Sequence, residues 1–440
     1  MMPMRVRVYG VLAEGLILGI LLFALLSFGA VDAWARIIIH WATLALLGLT
    51  ALKWLSHGEV HFPAGWLNLP IALLVLVALL STAGSINRYG SMQEAMRIIN
   101  YVVFFYLIFM NLTNRHAATR FLMTIVVAAA LLPFAGAIQD WILAARNESV
   151  ISLLPQSFRF ATYPNENHFG AFLALVLPAG LGLAGYLFRR RRWDWFGLVV
   201  ICLVLIAIAL METLTRATWV GVVVALLAMT AVFGMAKSIP QERRAWVVVG
   251  VVTALIMVLG LAPARAVENL KTVVSQGDTD RSMAFRYAVW KDSLQIIRDH
   301  PMLGTGLGTF GLIYTRYRSA VGNLPLVYVD VPHNDYLQYA VEMGVLAGVS
   351  LVAILLLLIY YLARHAFLHS TDPDLSLVLG VLGSVVAFLV VAFYSFEFYI
   401  TANGLLFWAI AGVGVYLTSP SQEALQEGTV GFAQRGKNHF

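Results

Sequence analysis

Apolar runs of about twenty residues recur from one end of the chain to the other, separated by shorter stretches that collect Arg, Asn and Pro. A helix of that length crosses the hydrocarbon of a bilayer. Lipid offers the backbone no hydrogen-bond partner, so each run is expected to be a helix rather than an open strand. Twelve spans are predicted, at about 11–30, 36–52, 69–86, 99–112, 119–140, 167–188, 195–213, 217–235, 245–263, 340–363, 375–398 and 403–418. The connections are short except for 264–339. The expected fold is an all-α polytopic membrane protein. Residues 1–263 carry nine spans, 264–339 form a large loop with helical segments, 340–418 carry three more spans, and 419–440 are a tail.

Composition supports this pattern. The chain is 60% hydrophobic and only 12% charged, with a mean hydropathy of +0.81. Soluble chains carry about twice that charge, so a soluble globular protein is excluded. The single cysteine, Cys202, sits inside an apolar run and reads as a small buried residue, with no partner for a disulfide. The first run follows Arg5 and Arg7 without a small-residue cleavage site, and reads as a retained span.

Lys and Arg in short loops set orientation. With the N-terminus inside, the inner segments hold 15 of them: Arg5, Arg7, Lys53, Arg115, Arg120, Arg189 to Arg192, Lys237, Arg243, Arg244, Arg364, Arg435 and Lys437. The outer ones hold six: Arg36, Arg88, Arg97, Arg146, Arg159 and Arg216. Both termini are therefore expected in the cytoplasm and the 264–339 loop on the outer side. The net charge of +6 resides in these membrane anchors and says nothing for nucleic acid.

The outer side also holds the densest polar group, "DVPHNDYLQYAVEMG" from Asp330 to Gly344, set against the apolar "VLAGVSLVAILLLLIYYLA". Pro332 suits the first turn of a helix, with Asp330 ahead of it as cap. On such a helix Asn334, Gln338 and Glu342 share a face, and His333 lies in the first turn, whose positive end keeps imidazole neutral and able to accept a proton. A solvated interfacial histidine is the plainer reading of His333 alone. Upstream, "RSMAFRYAVWKDSLQIIRDHP" forms an amphipathic helix ended by Pro301, with Ala284, Ala288, Leu294 and Ile297 as its stripe, and "GTGLGTFG" reads as turns.

Several further polar residues fall on the same side. Arg216 stands in "METLTRATWVG", Arg286 in "FRYAVWKD", and Arg159, Asn165 and Asn167 in "FRFATYPNENHFGAFLALVLP". Each alone matches an interface anchor. Together they set a histidine beside guanidinium groups, which grip phosphate in bidentate fashion. The substrate this implies is an anionic lipid headgroup bearing a transferable group. Asp278 and Asp280 in "QGDTDRS" are read as solvated residues, so no metal site is expected.

"PHNDYLQYAVEMG" resembles the His-Asn signature of the O-antigen ligase family, which is related to O-antigen polymerases and bacterial O-oligosaccharyltransferases. "TYPNENHFGAFLALVLP", "TRATWVG" and "FRYAVWKDSLQIIRDHPMLGTGLGTF" resemble other elements of that family, so the likeness runs over about residues 155–365. The resemblance implies a glycosyltransferase of the GT-C class in the bacterial inner membrane, with a periplasmic active site and neither metal nor cofactor. It implies a glycan donor on undecaprenyl diphosphate and, for a ligase, a sugar of the lipid A core as acceptor. It implies His333 as the base that activates the acceptor hydroxyl and Arg216 and Arg286 as holders of the diphosphate. Arg159, Asn165, Asn334 and Gln338 follow as binding or orienting residues, and Glu342 as structural.

An O-antigen polymerase or a protein O-oligosaccharyltransferase would use the same donor. The latter tends to carry a bulky C-terminal domain, and only about 22 residues follow the last span here. A lipid-glycan transporter is the reading from a different class. It calls for ionisable residues in mid-span, and Glu14 is the main one seen.

Overall fold

The structure, a computed structural model, describes residues 4–57, 62–63, 65–144, 160–235, 281–319 and 328–419. The span expected at 245–263, Arg159, Asp278, Asp280 and the tail lie outside these residues. The described chain is helical: α1 (Met4–Leu26), α2 (Ala33–His57), α3 (Asn68–Ala83), α4 (Arg88–Asn111), α5 (Arg115–Ala144), α6 (Glu166–Arg189), α7 (Trp193–Glu212), α8 (Arg216–Met235), α9 (Arg281–Asp299), α10 (Phe310–Tyr317), α11 (Asp335–Met343), α12 (Val345–Leu368), α13 (Leu375–Tyr394) and α14 (Thr401–Thr418). Among the described residues ten helices are long and apolar enough to span a membrane, and α3 is a shorter apolar helix of 16 residues. This is a multi-pass helical membrane protein.

Helices α6, α13 and α14 are enclosed on almost all sides, while α2, α7 and α8 expose most of their surface. Between helices in lipid, close packing and small residues replace the hydrophobic drive of water. A Cβ added at Gly182 on α6 would stand 2.7 Å from the Gly380 Cα on α13, so this crossing accepts nothing larger than glycine. Ser384 of α13 seals the same contact by donating to the Leu175 carbonyl at 2.6 Å.

Two span boundaries differ from expectation. The fourth helix starts at Arg88 rather than near residue 99. Its early charges do not end it, because Glu94 pairs with Arg97 one turn on and with Arg36 of α2 at 2.9 Å. The tenth span does not run on from the polar stretch. Gly344, at φ 88°, separates short α11 from membrane helix α12.

The bundle has two unlike ends. At one, Asp374 meets Arg115 at 3.2 Å and Arg190 at 4.0 Å, beside the run Arg189 to Arg192. At the other gather the starts of α6, α8, α11, α12 and α14 and the end of α13. There Tyr336 of α11 donates to the Leu389 carbonyl of α13 at 2.7 Å, and Asn403 of α14 donates to the His168 carbonyl of α6 at 2.9 Å.

Candidate active site

The helix at the opening of the polar stretch begins later than its sequence suggested. Asn334 is the cap of α11, its side-chain oxygen accepting the Leu337 N–H at 3.0 Å. Pro332 is therefore outside the helix and Asp330 does not cap it. His333 sits just before the helix in the left-handed region at φ 52°, a conformation that costs a non-glycine residue free energy and persists only where the surroundings impose it. The physical reason is side-chain chemistry: an Asn beside a free backbone donor makes a better cap than an Asp whose intended partner follows a proline.

Three contacts impose it. On one side Trp290 of α9 donates its indole N–H to the Pro332 carbonyl at 2.9 Å. On the other, the Phe396 ring meets the His333 ring edge-on with centroids 5.4 Å apart. Behind it, the Asn334 cap fixes the next residue. His333 is half-buried. Burial first, and then the charge of Arg286, push its imidazole down to about 4, with Asp330 opposing and His168 adding to the effect. His333 is thus a neutral imidazole at physiological pH, under the field of a permanent cation.

Helix α9 brings Arg286 here because its apolar side packs inward. Val289 and Ile296 are buried in a small core with Phe310, Ile313, Tyr314 and Val341, and the Trp290 ring lies against Phe393 at 5.3 Å. Arg216 is the first residue of α8, exposed at the same end of the bundle: Thr213, Thr215 and Thr218 around it line Gly170 in the first turns of α6. Asn165 caps α6, accepting the Asn167 N–H at 2.8 Å. Arg286 and His333 are therefore brought within electrostatic reach, Arg216 and Asn165 share their end of the bundle, and Arg159 lies outside the described residues.

Asn334, Gln338 and Glu342 do share a face, and all three are buried. Gln338 donates to Glu342 at 3.4 Å. Glu342 also accepts the backbone N–H groups of Gly308 at 2.9 Å and Phe310 at 3.2 Å, and the Tyr399 hydroxyl. The glycine-rich stretch is indeed a set of turns, and they wrap this carboxylate. Burial pushes Glu342 up to about 7 against the pull of these donors.

A second group of residues at the site had no place in the sequence reading. His168, in the first turn of α6, is buried and bonds through Nδ1 to Glu397 at 3.0 Å. Glu397 begins a 3-10 turn, Glu397–Tyr399, between α13 and α14. It also accepts from Ser395 at 2.5 Å and Asn403 at 2.6 Å. Its own N–H donates to Asp335 at 2.8 Å. The eleventh span stops at Tyr394 rather than near 398, because this acid and its partners form a polar turn. The signal available was an acid and a Ser inside "FYSFEFYITAN", and a His directly after the cap residues in "NENHFG".

A polytopic helical membrane protein with a buried polar site at one membrane end, built on a histidine and an arginine, defines the class. Residues 201–352 match the family model described as O-antigen ligase, so this part of the chain is similar to that family. The matched segment contains Arg216, Arg286, His333, Asn334 and Gln338 but neither His168 nor Glu397. An uncharacterized protein of Haemophilus influenzae (strain ATCC 51907 / DSM 11121 / KW20 / Rd) is 20% identical over 227 residues, 50% of this chain and 53% of that protein. The match thus spans about half the relative's length.

Proposed function

We propose that the protein transfers a glycan from undecaprenyl diphosphate to a sugar of the lipid A core, as an O-antigen ligase of the GT-C class. On this reading it lies in the bacterial inner membrane with both termini cytoplasmic and this site in the periplasm. The observation that carries the proposal is the pairing of a neutral, half-buried His333 with the Arg286 charge. The neutral imidazole accepts the proton of the acceptor hydroxyl as that oxygen forms its bond to the anomeric carbon. The bond from that carbon to the diphosphate oxygen breaks on the opposite face, with inversion, and its electron pair leaves on the diphosphate. Arg286 and Arg216 hold that growing charge, so the reaction proceeds without a metal. Asn334 and Gln338 act through the helix they stabilise, and Asn165 through the start of α6. Binding a diphosphate also screens the Arg286 charge at His333, making the imidazole a stronger base when the donor is in place.

The site lies at the membrane end because the leaving diphosphate stays anchored in lipid. The test is expression of wild type and His333→Ala in a strain lacking its own O-antigen ligase, with lipopolysaccharide resolved on a gel and membrane abundance checked. The expected result is a long ladder with wild type and none with an equally abundant mutant. A ladder from the mutant removes His333 as the base. Lipid-linked chains that lengthen without reaching the core would instead mark a polymerase.

A further inference from the structure

His333 is held in an unfavourable backbone conformation, so its orientation depends on what surrounds it. One support, Trp290, comes from α9. The other side is organised around a single buried carboxylate. Glu397 is 0% exposed and accepts from three donors: His168 Nδ1 at 3.0 Å, Ser395 at 2.5 Å and Asn403 at 2.6 Å. From there two routes lead to His333. The adjoining Phe396 lays its ring edge-on between two histidines, with centroids 4.7 Å from His168 and 5.4 Å from His333. The backbone N–H groups of Glu397 and Phe398 both donate to Asp335, at 2.8 and 3.4 Å, two residues beyond His333. Glu397 therefore ties together three helix starts, holding α6 and α14 through its carboxylate and α11 through its backbone N–H.

We propose that Glu397 and His168 form a positioning pair for His333, acting through Phe396 and Asp335 to aim and desolvate its imidazole. The inference rests on the reading of His333 as the base. Both members of the pair are buried, Glu397 at 0% and His168 at 5% exposure, so the pair acts on turnover rather than on donor binding. In Glu397→Gln one carboxylate oxygen becomes an NH2 donor that faces another donor, so the shared acceptor is broken, the turn relaxes, and water reaches His333. A misplacement of about an ångström at a reacting group lowers rates on the order of 100-fold. The charged and titratable groups that act on His333 are Arg286 from α9, His168 from α6 and Asp330 from its own segment. Only one of them belongs to the pair, so a shift in pH dependence reports mainly on desolvation.

The experiment measures glycan transfer by purified protein in detergent, from an undecaprenyl-diphosphate glycan to lipid A-core, for wild type, Glu397→Gln, Phe396→Leu and His333→Ala. Thermal unfolding of each variant is measured alongside. Phe396 is only half-buried, so Phe396→Leu keeps the fold if Glu397→Gln does not. The expected result is a kcat lower by about 10- to 100-fold in both positioning variants. KM for the donor stays within about twofold of wild type. The acid limb of the rate moves from near pH 4 toward the ordinary histidine value of 6.5. Unchanged kcat and pH profile in a folded Phe396→Leu protein overturns the inference while leaving His333 as base. Full activity of His333→Ala overturns the proposed function itself.

Discussion

Trp290 donates its indole N–H to the Pro332 carbonyl at 2.9 Å, joining the helix that carries Arg286 to the residue before His333. The bond makes α9 and the start of α11 move as one. Replacing Trp290 with Phe keeps the ring packing against Phe393 but leaves the Pro332 carbonyl without this donor. An unsatisfied, partly buried acceptor costs about 1 to 3 kcal/mol. Trp290→Phe is expected to lower glycan transfer by roughly tenfold or more at equal membrane abundance. Wild-type transfer from a stably folded variant would show that the tie does not serve the site.

Arg286 is the second cause of the lowered His333 pKa, after burial. On the proposed function the histidine works neutral, so rate is expected to be flat above its pKa and to fall as pH drops through about 4. In Arg286→Ala the charge is gone but burial remains, so the acid limb moves up only part of the way toward 6.5. Transfer at neutral pH is expected to fall as well, since the proposed function has Arg286 hold the leaving diphosphate. A pH–rate profile that keeps its acid limb near 4 in this variant argues against the electrostatic contact.

Glu342 gives a prediction for stability rather than rate. Its carboxyl is pushed from an ordinary 4.5 up to about 7. Unfolded chains lose this proton near 4.5 and folded ones near 7, so the group's favourable contribution is complete below 4.5 and is lost as pH rises through 7. The size is on the order of 3 kcal/mol. Unfolding free energies from denaturant titration in detergent, compared between wild type and Glu342→Gln, should diverge by this amount between pH 4.5 and 7. Parallel curves would mean that the carboxyl titrates as it does in water.

Gly304 turns the glycine-rich loop onto Glu342 with φ +63°, and a Cβ there would stand 2.3 Å from the Glu342 backbone carbon. Gly304→Ala thus adds both backbone strain, about 1 to 2 kcal/mol, and a clash with main chain that cannot move aside. The variant is expected to accumulate poorly or unfold at markedly lower temperature. A normal midpoint would show that the loop rests elsewhere.

The membrane helices were legible because their signal is long and redundant. A run such as that of α12 reads the same whatever its neighbours do. Their ends were less so, since Arg88 to Arg97 look like a loop until Glu94 is seen to pair with Arg97 and Arg36. At the site, His333 and Arg286 announced themselves by chemistry against an apolar background. Asp330 and Asn334 are both capping residues in sequence, and only the fold decides that Asn334 finds a free N–H. His168 and Glu397 carry no distinctive local signal, because each lies at a span end, where a lone polar residue is ordinary. Their meaning comes from a contact across 229 positions of sequence, which no local pattern carries.

The central claim is that a neutral His333 beside Arg286 performs metal-independent glycan transfer. Its most direct test is a single measurement with purified protein: transfer from undecaprenyl-diphosphate glycan to lipid A-core in the presence of a chelator, for wild type and for a folded His333→Ala variant. The account predicts undiminished transfer by wild type and a loss in the variant of about 100-fold or more. Transfer abolished by the chelator, or retained by His333→Ala, would contradict it.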